Sequence, residues 1–394
     1  MGLFKYFNHE EYRVSKQNNR TLHILIYILD FQFRKIAELS GIVLDNSTFS
    51  VDANSDIRRT CNLSIIPTSS DFDITANSDI WIDKYIQVKV GIEDISNNNE
   101  IVYTNKGVYL INNPSKVYSA TNNQLTITGI DLMAKLTGMR NGYLSGTQGG
   151  VSYQIPAGSD IGDAIKSTFE LGGFDNVAVS DFKPTSVVPN DIIISVGSTI
   201  YGMLKELVDI NSFYQAYFDE NGVPYVNRIP SGDNEPVMVD DDLWKDVLIS
   251  YNQNISFEEV KNVVEVYGKT LDDGTTPYAI ALDDNPSSPF YAYGKAGQIR
   301  IILSGGEYDN IYTDDLAQQR ADYELYLRCR LQDQLTITTV PIYWLDVNWL
   351  IEITLPNKQG EEVTEKYIIK KIDTTVGVNG TQTITMMKYY PTDV

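Results

Sequence analysis

Carboxylates are the one catalytic residue type that the sequence carries in abundance, with 52 Asp and Glu among 394 residues. Two carboxylates at the right separation could cleave a glycosidic bond, one as the acid and the other as base or nucleophile. Three acidic runs stand in polar, turn-like stretches, where solvated loops are the ordinary explanation. They are Asp240-Asp241-Asp242, Asp272-Asp273 and Glu361-Glu362. We therefore expect surface charge at these runs and no catalytic pair.

Metal and nucleophile chemistry has few residues to draw on. Histidine occurs only as His9 and His23, which excludes a three-histidine zinc site and a His-Glu-x-x-His helix. We expect both histidines to be structural. The two cysteines, Cys61 and Cys329, lie far apart in apolar-alternating stretches, a setting that favours buried free thiols over a disulfide.

Nucleotide and calcium motifs are incomplete. Gly268-Lys269-Thr270 is only the tail end of a phosphate-binding loop, because Val263 stands where the first glycine belongs. The Gly-x-Gly-x-x-Gly and Gly-x-Ser-x-Gly sequences do not occur. Asp71-Phe72-Asp73 and Asp79 have the spacing of a calcium loop without its glycine and closing glutamate. The sequence therefore predicts no catalytic residue, no cofactor-binding residue and no metal ligand, and it favours a protein that is not an enzyme.

The charge is strongly negative and unevenly spread. Residues 1–140 are nearly balanced, whereas residues 141–250 carry 5 basic and 16 acidic residues and residues 251–394 carry 12 and 21. Such a field repels phosphates, so sequence-specific nucleic-acid binding is disfavoured. The longest apolar run, 22–29, is far shorter than the roughly 20 residues that span a bilayer, so no membrane insertion is expected.

Residues 20–140 follow an N-terminal extension, 1–19, and read as antiparallel strands. Short alternating or β-branched runs are separated by Asn, Asp, Gly and Pro, and Asn97-Asn98-Asn99 and Asn122-Asn123 suit hairpin turns. One small β-barrel would accommodate these strands. The predicted strands are 22–29, 48–51, 61–66, 85–92, 102–112 and 124–129.

Residues 141–250 change character and predict a mixed α/β insertion domain. A glycine-rich stretch opens it, and apolar spacing then predicts a helix over 161–169, capped by Ser159 or Asp160. A second helix is expected over 199–209, with Ser198 as its N-cap. Glu220-Asn221-Gly222 then predicts a hairpin turn.

Residues 251–394 return to strands and predict a second small barrel. A helix is expected near 314–331, opened by Asp314-Asp315 at the positive end of its dipole. The predicted strands are 263–267, 299–303, 335–340, 351–354, 367–372 and 382–388.

Five stretches together resemble the hub proteins of phage tails and phage-tail-like bacteriocins. The resemblance covers most of residues 20–390, and residues 1–19 have no counterpart in it. The stretches are 55–61 (SDIRRTC), 81–85 (WIDKY), 129–136 (GIDLMAKL), 261–268 (KNVVEVYG) and 341–353. The implied fold is mainly β with an α+β insertion, in which two antiparallel barrels of tail-tube type form a trimeric, pseudo-hexameric ring.

The resemblance implies a structural role in the virion tail, or baseplate, assembled in the bacterial host cytoplasm. The expected partners are two further copies of the chain, the tail tube protein, a spike or tail-tip protein, the tape-measure protein and baseplate wedge proteins. A trimer of paired barrels would join a six-fold tube to a three-fold spike and line a channel for DNA or cargo.

Two alternatives remain open. A tail-associated cell-wall hydrolase would use paired carboxylates. A tail-tip carbohydrate-binding protein is suggested by the tyrosines and by Trp81, Trp244, Trp344 and Trp349, although such tryptophans are more often core anchors.

Overall fold

The computed structural model describes residues 9–391 apart from 40, 69–73, 77, 120–122, 147–149, 184, 212, 272, 357–358 and 378. The chain is mainly β with few helices, which confirms the coarse fold class expected from the sequence. No helix among the described residues is long and apolar enough to cross a membrane.

The first part of the chain is a short helix followed by antiparallel strands. The predicted strands are confirmed, because alternate side chains such as Leu125 and Ile127 are buried on one face. Asn98 and Asn99 adopt the left-handed conformation in the turn before β7, with φ of 53° and 60°. The elements are α1 (His9–Ser15), β1 (Leu22–Leu29), β2 (Lys35–Glu38), β3 (Gly41–Val43), β4 (Thr48–Asp52), β5 (Arg59–Pro67), β6 (Tyr85–Asp94), β7 (Glu100–Ile111), β8 (Ser115–Tyr118) and β9 (Asn123–Ile130).

The middle part is mixed. Asp160 caps α2 as predicted, since its carboxylate accepts from the Asp163 N–H. The cap of α3 is Thr199 and not Ser198, because the Thr199 hydroxyl accepts from the Gly202 N–H. The predicted Asn-Gly hairpin is confirmed as β13 and β14. The elements are β10 (Val151–Ile155), α2 (Ile161–Leu171), β11 (Ala178–Val179), β12 (Ile192–Ser195), α3 (Ile200–Val208), β13 (Tyr214–Phe218) and β14 (Pro224–Arg228).

The last part contains α5 in the stretch where the sequence predicts a helix. Thr313 caps it, and Ala317 and Ala321 lie on its buried face. The elements are α4 (Asp241–Val247), β15 (Leu248–Ser256), β16 (Val263–Tyr267), β17 (Tyr278–Leu282), β18 (Arg300–Leu303), α5 (Asp314–Arg328), β19 (Gln332–Thr339), β20 (Leu350–Pro356), β21 (Glu362–Thr375) and β22 (Gln382–Lys388).

Strands from the first and last parts form one 14-stranded sheet. The two parts meet where β4 pairs antiparallel with β21, from Asp52 opposite Lys371 to Thr48 opposite Thr375. No pairing within the described residues closes this sheet into a barrel. The main strand order is β15-β19-β22-β21-β4-β5-β9-β7-β6-β1-β2, with β20 on β21, β3 on β5 and β8 on β9.

The strands β16, β17 and β18 stand outside the large sheet and form a sheet of three. Helix α5 covers one face of it, where Val264, Val266 and Ala279 pack against Ala317 and Ala321. The strand-rich residues 251–394 therefore contribute to two sheets with separate hydrophobic clusters.

The middle part packs on the outside of the first. Leu132 and Met133, directly after β9, share a hydrophobic cluster with Ile165 of α2 and Leu204 of α3. Residues of β6 and β7 complete the same cluster. The middle part therefore builds its core jointly with some residues of the first part, whose strands also form a second, separate cluster.

Helix α1 contacts both the first and the last parts of the chain. Arg13 forms an ion pair with Asp94, the last residue of β6, while the Trp344 indole N–H donates to the Ser15 hydroxyl at 2.9 Å. The Arg20 guanidinium donates to the Pro341 carbonyl at 2.6 Å. The N-terminal residues from 9 onward thus contact both the first and the last parts.

Shortening a buried side chain of α1 should destabilise the fold. We expect Val14→Ala to lower the free energy of unfolding by about 1–3 kcal/mol, because Val14 is buried among residues of β1, β6 and β7. Urea titration followed by circular dichroism measures the effect. The matched variant Val117→Ala, at an exposed position of β8, should change stability by less than about 0.5 kcal/mol. Equal losses in the two variants would contradict the role of α1.

Candidate functional site: the buried junction and the open sheet ends

Three of the stretches that resemble tail hubs meet at one buried point. Arg59 begins β5, Asp131 follows β9, and Asp346 lies between β19 and β20. The Arg59 backbone N–H donates to Asp131 Oδ2 at 3.0 Å, and its Nη2 donates to Asp346 Oδ2 at 2.6 Å. The junction therefore links the first part of the chain directly to the last.

The Arg59–Asp346 ion pair is almost fully shielded from water, with side-chain exposures of 3% and 9%. Burial is the largest single effect on Arg59 and opposes its charge, but Asp346, Glu220 and Tyr109 together outweigh it and hold the Arg59 pKa above its ordinary value. Burial raises the pKa of Asp131 to about 6, although hydrogen bonds from the backbone N–H groups of Arg59 and Met133 favour its ionised form. Removal of one charge would leave its partner uncompensated.

A chain of polar side chains extends the junction to the middle part. The Gln215 side-chain oxygen, on β13, accepts from Arg58 Nη2 and from Asn348 Nδ2. Asn348 Oδ1 in turn accepts from the Lys370 ammonium of β21 at 3.0 Å. The first, middle and last parts are thereby joined through neutral amides that separate two cations. The Arg58 guanidinium also lies over the Tyr217 ring, 3.9 Å from its centroid.

A double-mutant cycle tests the buried ion pair. We expect Arg59→Met alone to cost about 3–5 kcal/mol, because it leaves Asp346 buried without a counterion. The double variant with Asp346→Leu should lose at least about 1.5 kcal/mol less than the two single losses added together. Urea titration gives the free energies of unfolding.

The exposed pair of Lys35 and Glu38, 3.0 Å apart, is the control for this cycle. Its coupling should be about 0–1 kcal/mol, because water screens exposed charges. Additive losses at Arg59 and Asp346 would show that the pair does not hold the junction.

Lys370 should make stability depend on pH in the alkaline range. Burial, with Arg330 and Arg58 adding repulsion, lowers the pKa of Lys370 from 10.5 to about 8. Between these values the unfolded chain binds a proton that the folded chain has lost, so stability rises with pH. Relative to Lys370→Met, the wild type should gain on the order of 2 kcal/mol from pH 8 to pH 10. Urea titrations at a series of pH values check this, and a difference that stays constant would contradict it.

The predicted histidines and cysteines lie apart from the junction. His23 is partly exposed on β1, and its Nε2 is 2.7 Å from Glu93 Oε1. Cys61 is buried and free as expected, and burial raises its pKa to about 12. Cys329 is also free but only partly buried, with its Sγ 3.5 Å from Asp283 Oδ2. His9 is the first residue of α1.

The acidic runs have local structural roles. Asp240-Asp241-Asp242 is not a solvated loop, because it forms the start of α4, where the Asp241 carboxylate accepts from the Thr354 N–H. Asp273 accepts from the Thr275 N–H, and Glu362 begins β21. Asp272 and the 71–73 segment of the calcium-like spacing lie outside the described residues. Within the described part of the chain, no group of three or more His, Cys, Asp or Glu could hold a metal ion.

Gly268, in the partial phosphate-loop sequence, serves close packing. A Cβ at this position would lie 2.2 Å from the Ile311 carbonyl oxygen, to which the Lys269 N–H donates.

The tryptophans differ in burial. Trp244 is buried and its indole N–H donates to the Glu352 carbonyl, whereas Trp81 is exposed. The expectation of a core anchor is therefore wrong for Trp81.

The main path of the large sheet has two end strands, and the side strands β3, β8 and β20 are further edges. Among the described residues, β15 at one end pairs only with β19, and it is exposed along most of its length. Its apolar side chains are exposed too, with Ile249 at 57%, Tyr251 at 43% and Ile255 at 46%. At the other end, β2 pairs within the described residues only with β1, and it exposes Ile36. Neither β2 nor β15 is among the strands predicted from the sequence, and only the pairing order shows that they are edges.

Comparison with known proteins links this fold to phage tails. The 43 kDa tail protein of prophage MuSo2 from Shewanella oneidensis matches with a TM-score of 0.59 and 12% identity over 94% of this chain and 98% of its own. A tail protein from Neisseria meningitidis MC58 matches with 0.56 and 11% over 93% and 96%. Prophage tail protein gp18 from Listeria monocytogenes EGD-e matches with 0.55 and 11% over 92% and 94%.

The matching family model is a domain of unknown function, DUF5048, over residues 287–392. No curated protein sequence matches the chain. At such low identity the solved structures share the fold alone, and they share it along nearly the whole chain. The resemblance to phage tail proteins expected from the sequence is thus confirmed at the level of the fold.

Proposed function

We propose that this protein is a structural ring component of a phage-type tail, the hub at the tip of the tail tube. The observation that carries the proposal is the fold shared with prophage tail proteins over 92–94% of this chain. As a hub it adapts a six-fold tube to a three-fold spike and lines the channel through which DNA or cargo passes. It works by assembly and without turnover.

The ring is a homotrimer in which each copy supplies two tube-like units. Residues 20–140 and 251–394 supply them, and residues 141–250 are the insertion. Two similar units per chain give six quasi-equivalent positions around a three-fold axis. The pairing of β4 with β21 supports this arrangement, because it makes the two strand-rich parts of one chain continuous.

The open sheet ends supply the contact between copies. A long, exposed apolar edge strand presents unpaired N–H and C=O groups to another chain, and β15 has these properties. Its occupant is the β2 end of the next copy, because a head-to-tail contact between the opposite ends of one sheet closes into a ring. Each copy then covers one end of its neighbour.

The other contacts follow from the place in the tail. The tube protein lies above the ring, a spike or tail-tip protein lies below it, and the tape-measure protein ends at its bore. Baseplate wedge proteins surround it in a virion tail assembled in the host cytoplasm. The acidic excess of residues 141–394 faces the bore, where it repels phosphates and lets DNA slide. Unchanged DNA ejection after neutralisation of bore carboxylates would contradict this last role.

Charge placed on β15 should break the ring. We expect Tyr251→Lys combined with Ile255→Lys to shift the assembly from trimer to monomer. The two substitutions remove apolar area from the contact between copies, and the new lysines would repel a cation on the neighbouring copy. Native mass spectrometry of the protein alone and with its tube partner measures the oligomer. Circular dichroism checks that the variant keeps its strands.

The control is Tyr293→Lys, an aromatic outside the large sheet that is more exposed than Tyr251, at 63% against 43%. It should leave the trimer intact. A wild-type chain that never trimerises, even with its tube partner, would overturn the hub proposal, and a lytic band on a bacterial cell-wall zymogram would overturn its non-enzymatic part.

A further inference from the structure

Three cationic side chains lie near one another at the edge of the buried junction, and within the described part of the chain no carboxylate is hydrogen-bonded to them. They are Arg58, Lys370 and Arg330, and both arginines lower the pKa of Lys370 by repulsion. Among the described residues, Arg330 donates to the Leu327 carbonyl and lies over the Tyr326 ring. In a chain with a net charge of −21, a local excess of positive charge on one buried and two half-buried side chains requires an explanation.

The Arg58 guanidinium is only partly satisfied. The side chain is 5% exposed, and its Nε is buried without a hydrogen-bond partner in the described structure. Its Nη2 donates to the Gln215 amide oxygen, a neutral acceptor. Buried polar nitrogens are normally paired, and a guanidinium is built to donate to carboxylate or phosphate oxygens.

Lys370 is in a similar position at the other end of the amide chain. Its described hydrogen bond goes to Asn348 Oδ1, again a neutral acceptor. Asn348 is held in the left-handed conformation, with φ of 58°, so its amide sits between Gln215 and Lys370. Arg58 and Lys370 therefore lie at the two ends of this amide chain, and each presents N–H donors there.

The nearby carboxylates are committed elsewhere. Asp346 bonds Arg59, and Asp131 accepts from the backbone of Arg59 and Met133. Counting Arg58, Arg59, Lys370 and Arg330 against Asp346, Asp131 and Glu220, the carboxylates whose charge acts on these groups, leaves an excess of one positive charge. An anion supplied from outside would balance this excess.

We propose that Arg58 and Lys370, with the amides of Gln215 and Asn348 between them, form a binding site for one oxyanion, a carboxylate or phosphate group. The group accepts from Arg58 and from the Lys370 ammonium, and Arg330 adds attraction. It comes from a free phosphate ion or from an acidic side chain of another polypeptide. The site does not depend on the ring proposed above.

Isothermal titration with inorganic phosphate and with acetate, at constant ionic strength and pH 7, tests the proposal on the full chain. Wild type should bind phosphate saturably with one site per chain. Lys370→Met should weaken binding by at least about tenfold, because it removes a charge-assisted hydrogen bond. Lys366→Met, four residues earlier on β21 and partly exposed, should bind as the wild type does.

A second variant, Arg58→Lys, keeps the charge and removes the guanidinium fork, and it should weaken phosphate binding as well. Circular dichroism confirms folding, and if Arg58→Lys unfolds, Lys370→Met carries the test alone. Displacement of phosphate by acetate at similar concentration assigns the site to carboxylates, and resistance to acetate assigns it to phosphate. Absence of saturable binding of both ions to wild type, or equal binding to wild type and Lys370→Met, would overturn the proposal.

Discussion

The antiparallel pairing of β4 with β21 is the contact on which the rest of the architecture depends. It joins Thr48–Asp52 to residues more than 300 positions later and turns two strand-rich parts into one sheet. Backbone hydrogen bonds alone do not fix the register of the β4–β21 pairing, which we call the seam. A slip of one residue keeps the backbone hydrogen bonds but turns every side chain of the strand to the opposite face. The Arg59–Asp346 pair lies beside the seam and gives it a fixed polar register. Because both charges are buried, another register would leave each of them without its partner.

The middle part and α1 are arranged around this seam. The middle part shares its hydrophobic cluster with β6, β7 and the turn after β9, so it cannot fold its core independently of the first part. Helix α1 ties Asp94 and Trp344 across the two strand-rich parts. Gln215 and Asn348 complete the connection in the interior. Together these contacts tie the first, middle and last parts of the chain to one another.

The end strands of the large sheet differ from its inner strands in how they are paired. On the main path of the sheet every inner strand has a neighbour on both sides, whereas among the described residues β15 and β2, like the side strands β3, β8 and β20, have one neighbour each. Soluble proteins usually blunt such edges with charge or a short strand, and β15 has nine residues and no charged side chain. The ring proposed here resolves this feature by assembly. The cationic edge of the junction is a separate feature, in which Arg58 is buried and Lys370 and Arg330 are half-buried.

Local pattern was enough to predict the elements. The alternation of Leu125 and Ile127, the Asn98 and Asn99 turn, the Asp160 cap and the Asn221-Gly222 hairpin follow from side-chain periodicity and backbone conformation within a few residues. The short stretches that resemble tail hubs also pointed to the fold. Only the tertiary structure decided that β4 pairs with β21, that Arg59 meets Asp346, and that β16–β18 form a sheet of their own. These pairings depend on contacts between residues far apart in the chain. Many alternative long-range pairings compete in free energy, and a short stretch of sequence carries no signal of which one is the most stable.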